Sequence, residues 1–113
     1  MLTIDKLRDY GANVDEGLAR CMNNEAFYLR LVGMALGDAS FEKLEQAVEQ
    51  DDLEKAFEAA HALKGVLSNL SLTPICGPVS EMTELLRARK QADYPAFVAA
   101  ILSERDRLTE LSR

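Results

Sequence analysis

Apolar residues recur along the chain at intervals of three and four, and no stretch alternates with period two between turn residues, so helices are predicted throughout and no strand. Ile4 and Leu7 on one side of Thr3 to Tyr10 predict a short helix that stops at Gly11. Asn13 with Glu16 three residues on is a variant capping box ahead of Val14, Leu18 and Cys21 or Met22. Asn23-Asn24 is expected to break that helix and cap the next. From Glu25 the apolar positions Phe27, Leu29, Leu31, Val32, Met34, Ala35 and Leu36 run round more than one face, which predicts a central helix. Gly37-Asp38 marks a stop or a kink and Ser40 offers a new cap. Phe41, Leu44, Ala47 and Val48 then continue the stripe, so residues 25–50 read as either one kinked helix or two.

Asp51 with Glu54 predicts a second capping box, opening the longest uninterrupted helix. Its expected buried stripe is Leu53, Ala56, Phe57, Ala60, Leu63, Leu67 and Leu70. Thr73-Pro74 reads as N-cap plus proline at the first helical position, with Gly77-Pro78 expected to delay the regular helix by a turn. Ile75, Val79, Met82, Leu85 and Leu86 follow, and the basic run from Arg87 to Lys90 suits a helix C-terminus. Asp93 is expected to cap a last helix carrying Phe97, Val98, Ile101, Leu102, Leu108 and Leu111. Short connections between such helices imply antiparallel neighbours. The expected fold is all-α: an up-down antiparallel four-helix bundle with one or two short extra N-terminal helices, residues 1–113 forming a single domain.

Composition narrows the functions open to this fold. A net charge of −6 leaves no basic stripe to release counterions from a phosphate backbone, so no nucleic acid is expected as a partner. No apolar run reaches the length that spans a bilayer, and the first six residues lack the basic and apolar regions of a signal peptide. Cys21 and Cys76 show neither metal-ligand nor disulfide-framework spacing and read as reduced thiols in or near the core of a cytoplasmic protein.

The candidate chemistry sits on the longest helix, around the single histidine, His61. At about 100° per residue His61 falls roughly 110–120° from the centre of the buried stripe, on the flank of the helix. Lys64, Gly65 and Ser68 follow at i+3, i+4 and i+7 on the same side. A mid-helix glycine costs about 0.5–1 kcal/mol relative to alanine, so its presence needs a reason. Helical side chains lean towards the N-terminus, and a large residue at position 65 would overhang the imidazole. A neutral imidazole is a nucleophile near pH 7, and Lys64 is a compact cation suited to phosphate oxygens. No glycine-rich nucleotide loop is present, so a phosphoryl group would have to arrive already activated.

His61-Ala62-Leu63-Lys64-Gly65 resembles the H-x-x-K-G core of histidine-containing phosphotransfer (HPt) domains, as found in two-component phosphorelays. Asp51-Asp52-Leu53, Ala60 and Asn69 are similar too, as are the upstream segments Leu18-Ala19-Arg20 and Phe27-Tyr28-Leu29. The resemblance implies that His61 accepts a phosphoryl group from a receiver-domain aspartyl phosphate, or from a kinase, and passes it to another receiver. Lys64 would stabilise the phosphoryl oxygens, while Gly65 and Ser68 would lie where the partner approaches. It implies a carrier without kinase activity of its own and without a cofactor, Mg2+ being expected only in the partner receiver domain. Response-regulator receiver domains, and a hybrid histidine kinase, are the implied partners of a monomer. The chain departs from the family pattern at Ser71, where many members carry a second glycine, and at the bulkier Val66-Leu67. Thr83 stands where such families often place glutamine or glutamate, and Arg87, one turn beyond, could approach the histidine.

Two other readings stand beside this one. Glu58-Ala-Ala-His61 is an E-x-x-H pair as in di-iron bundles, but those sites need two such pairs and further glutamates, and both residues fall off the buried stripe. A degenerate HPt-like module could instead dock a receiver without taking phosphate. Starting at Met1 and ending soon after its last helix, the chain fits a free-standing shuttle, and equally a segment excised from a hybrid or chemotaxis kinase.

Overall fold

A computed structural model describes all 113 residues as seven α-helices with no strand. They are α1 (Ile4–Tyr10), α2 (Val14–Arg20), α3 (Glu25–Leu36), α4 (Ser40–Glu49), α5 (Leu53–Asn69), α6 (Thr73–Arg87) and α7 (Tyr94–Leu111). Residues 25–50 are therefore two helices. Gly37 caps α3, and the Asp38 carboxylate accepts the Ser40 amide at 2.8 Å, which starts α4.

The centre of the molecule is α5, packed between α4 and α6, while α7 closes against both α4 and α6. The small residues Ala56, Ala59 and Ala60 let the neighbours approach, and Leu63 and Leu67 fill the space between them. The expectation that α3 is central fails. Only Tyr28, Val32 and Ala35 of α3 are buried, and Met34 is 66% exposed. Its apolar residues exceed what its few neighbours can cover, and the excess stays on the surface.

Half of the expected N-terminal caps form. Asn13, Asn24 and Asp93 each accept an amide hydrogen bond, from Glu16, Phe27 and Ala96. Two others differ. Asp52, not Asp51, caps α5, accepting the Lys55 amide at 3.1 Å. Thr73 is already helical behind Leu72, with no side-chain cap, and α6 runs unbroken through Pro78. Pro78 lacks a donor and is the sixth residue of α6, so the helix there forgoes the bond to the Pro74 carbonyl.

Helices α4, α5 and α6 all stop in one way. Asp51, Ser71 and Arg89 take left-handed backbone with φ of 55°, 55° and 54°. The next residue's amide reaches back five positions in each case: Asp52 to Ala47, Leu72 to Leu67, Lys90 to Leu85. This is the Schellman stop, built without the usual glycine. Ser71 thus occupies the left-handed conformation that a glycine favours. Here the Arg20 guanidinium donates to the Ser71 hydroxyl at 2.8 Å and to the Ser68 carbonyl at 2.9 Å.

The N-terminal helices clamp that same turn. The Asn13 amide donates to the Ser71 carbonyl at 3.0 Å, and the buried Tyr28 hydroxyl donates to the Leu70 carbonyl at 2.8 Å. Burial pushes the Tyr28 phenol up to about 12, so it stays a neutral donor at physiological pH. The Tyr28 ring rests directly on Gly17, where a Cβ would come within 2.6 Å of a ring carbon. Tyr28 is fully buried and hydrogen-bonded, so it cannot yield cheaply.

The two glycines of α2 and α3 should therefore respond oppositely to one substitution. Gly17→Ala should cost about 1–3 kcal/mol in urea denaturation. Gly33→Ala, whose Cβ would meet nothing within 4 Å, should gain about 0.4–1 kcal/mol. Equal effects would refute the contact with Tyr28.

Candidate functional site

His61 projects from the middle of α5, whose inward face is taken by Ala56, Ala59, Ala60, Leu63 and Leu67. That leaves the imidazole exposed on the flank of the helix, as the periodicity predicts. Phe57, one turn earlier, stacks on it with ring centroids 5.6 Å apart and planes inclined by 15°. The Arg87 guanidinium of α6 lies over the same Phe57 ring, 5.1 Å from its centroid. Arg87 thus comes near the histidine through an aromatic ring, as a cation–π contact.

Lys64 does not stand free beside the imidazole. Its Nζ lies 3.4 Å from a carboxylate oxygen of Glu84 on α6, and Arg87 Nε lies 3.4 Å from the same carboxylate. The hydrogen bond from Lys64, assisted by the charge of Arg87, holds the Glu84 carboxyl below the usual carboxylate range despite some desolvation. Thr83 contributes nothing to this cluster. It is fully buried, and its hydroxyl donates to the Val79 carbonyl at 2.7 Å.

Gly65 is open. A Cβ built there would meet nothing within 4 Å, so no tertiary contact requires the glycine. It lies in a shallow groove with Leu31, Met34, Val66 and Leu70, of about 520 Å³. Ser68, two turns beyond His61, is exposed, its hydroxyl 3.1 Å from Cys76 Sγ. Both cysteines are free thiols, Cys21 buried and Cys76 partly so. On the other side of Phe57 a cleft of about 550 Å³ separates the start of α5 from the end of α6, lined by Leu53, Leu86, Arg87, Arg89 and Tyr94. Leu53, expected in the buried stripe, is 39% exposed here, because it sits at the first turn of α5 where no helix covers it. Glu58 lines a different groove, with Lys43, Gln46 and Lys55 on the α4 side of the helix.

Sequence reasoning brought His61, Lys64, Gly65 and Arg87 into view and missed Glu84 and Phe57. The signal for Phe57 was its i−4 spacing from His61, obscured by its assignment to the core stripe. Nothing local marks Glu84. Which residue of α6 faces Lys64 depends on how two helices far apart in the chain are rotated against each other.

Comparison with known protein families returns the Hpt domain, matched over residues 35–111. The match takes in the end of α3 and all of α4 to α7, with His61 in its midst, and the chain belongs to the Hpt domain family. Members of this family carry phosphoryl groups by histidine phosphotransfer in two-component relays, interact with receiver domains and kinases, and are not kinases themselves. The similar upstream segments Leu18–Arg20 and Phe27–Leu29 fall outside the matched residues. Searches of curated proteins and of solved structures returned no match. No helix is long and apolar enough to cross a membrane.

If only function retains the glycine, removing it should help the fold. Gly65→Ala should raise stability by about 0.4–1 kcal/mol in thermal or urea unfolding. A loss would mean that position 65 serves the fold.

Proposed function

We propose that His61 is the phospho-accepting side chain of this Hpt domain, taking the group from a receiver aspartyl phosphate and passing it to a second receiver. The observation that carries this reading is the exposed imidazole, held against Phe57 and bordered by a glycine that the fold does not require. An imidazole nitrogen attacks the phosphorus, the new N–P bond forms, and the bond to the aspartyl oxygen breaks. Aspartate leaves as a carboxylate, and the other ring nitrogen keeps its proton. Transfer onwards reverses the same step on a different carboxylate.

In this reading Lys64 meets the phosphoryl oxygens as a point charge. Gly65 and the groove beside it, with the exposed Met34, leave room for a receiver to seat its active site over the ring. Ser68 lies further along the same side, at the edge of that contact. The chain supplies no metal or cofactor of its own, and the Mg2+ belongs to the receiver. A kinase could serve as donor in place of a receiver.

We further read α4 to α7 as an up-down antiparallel four-helix bundle, supported by their mutual packing and by the tight turns at residues 50–52 and 70–72. Residues 1–113 would then act as one unit. The Tyr10 hydroxyl bonds to Glu104, and the Arg107 guanidinium donates to the Tyr10 carbonyl at 3.2 Å. A cytoplasmic monomer fits the acidic, helical surface.

Mixing the protein with a phosphorylated receiver should put acid-labile label on the wild type and none on His61→Gln. Label that survives this substitution would remove the assignment. Gly65→Gln should keep its circular dichroism spectrum while transfer slows by about 10–100-fold, because the receiver can no longer close on the ring. An unimpaired rate would refute the steric role.

A further inference from the structure

Beside the candidate phospho-accepting ring, one carboxylate holds two cations. Glu84 takes Lys64 Nζ and Arg87 Nε, each at 3.4 Å, and Arg87 lies over the ring that stacks on His61. Lys64 is one helical turn from His61, so its ammonium group can serve only one of two anions fully: the Glu84 carboxylate or a phosphoryl group on the imidazole. The pair is partly exposed, with the lysine side chain at 35% and the glutamate at 56% of their full accessibility. Such a pair is weak enough to exchange partners. A phosphoryl group with close to two negative charges and three acceptor oxygens is the stronger claimant.

We propose that Glu84 is a positioning residue that holds Lys64 in reserve in the unphosphorylated protein and competes for it once His61 is phosphorylated, so that the phosphohistidine remains ready to give up its group. This rests on His61 being the phospho-accepting residue. A carrier must take and release the same group across a nearly balanced equilibrium. A lysine committed wholly to the phosphoryl group would deepen the phosphohistidine state, and a nearby carboxylate limits that depth. Glu84 touches neither substrate nor reacting atoms; it acts through Lys64.

The test compares the full chain as wild type, Glu84→Gln, Lys64→Ala and the double variant. Each is brought to equilibrium with a phosphorylated receiver domain that labels the wild type. Glu84→Gln should shift the equilibrium towards the labelled protein by roughly two- to five-fold, and Lys64→Ala should shift it the other way. In the Lys64→Ala background the gain from Glu84→Gln should fall below half. Chains labelled instead with phosphoramidate supply a second readout by phosphorus NMR. With the anion removed and the cation released, the phosphohistidine of Glu84→Gln should titrate at lower pH than that of the wild type.

An unchanged or reversed equilibrium, a gain of full size without Lys64, or an unmoved titration would overturn the role of Glu84 while leaving labelled His61 intact. A wild type that takes no label on His61 from either donor would overturn both this proposal and the phospho-accepting reading beneath it.

Discussion

The packing of α5 between α4 and α6 is the constraint on which the rest of the structure depends. Three alanines on its inward side, Ala56, Ala59 and Ala60, bring the neighbouring helices close, and Leu63 and Leu67 lock the depth and rotation of the helix. A helix so fixed has only one free flank, and His61 lies on it. Rotation by a single residue position, about 100°, would bury the imidazole or turn it from its neighbours on α6. The site inherits its precision from a core that contains none of its residues.

The ends of α5 are held as firmly as its middle. Asp52 caps the first turn, and the last turn closes on Ser71 in a left-handed conformation that costs a non-glycine residue about 1 kcal/mol. Arg20, Asn13 and Tyr28 offset that cost by hydrogen-bonding the carbonyls and the hydroxyl of residues 68–71. All three belong to the N-terminal helices, ahead of the residues matched by the Hpt family. The extra helices thus act on the helix that carries the histidine, and on its C-terminal end in particular.

The groups around the ring form a connected cluster. Phe57 contacts both His61 and Arg87, and Glu84 pairs with both Lys64 and Arg87. The imidazole therefore has an aromatic support on one side and a cation one turn on, with that cation already engaged. The resting cluster is satisfied by its own charges. Nothing in the cluster is buried beyond reach of water, which keeps each pair weak and exchangeable.

The sequence by itself determined the helical class, half of the N-caps, much of the stripe of α5 and the exposed place of His61. These follow from local chemistry and from a period of 3.6 residues, which a single segment displays without its neighbours. It also showed Gly65 to be unusual, because the cost of a mid-helix glycine is a local quantity. The centrality of α3 was misread, since an apolar helix face states what could be buried and not what is available to bury it. The helix stops at Asp51, Ser71 and Arg89 were hidden because left-handed caps without glycine carry no residue signature. The tertiary structure alone decided that Glu84 meets Lys64 while Thr83 turns inward, and that Phe57 bridges His61 and Arg87. Those contacts depend on the relative rotation of α5 and α6, which is set by the packing of the whole core and is written in no single segment of the chain.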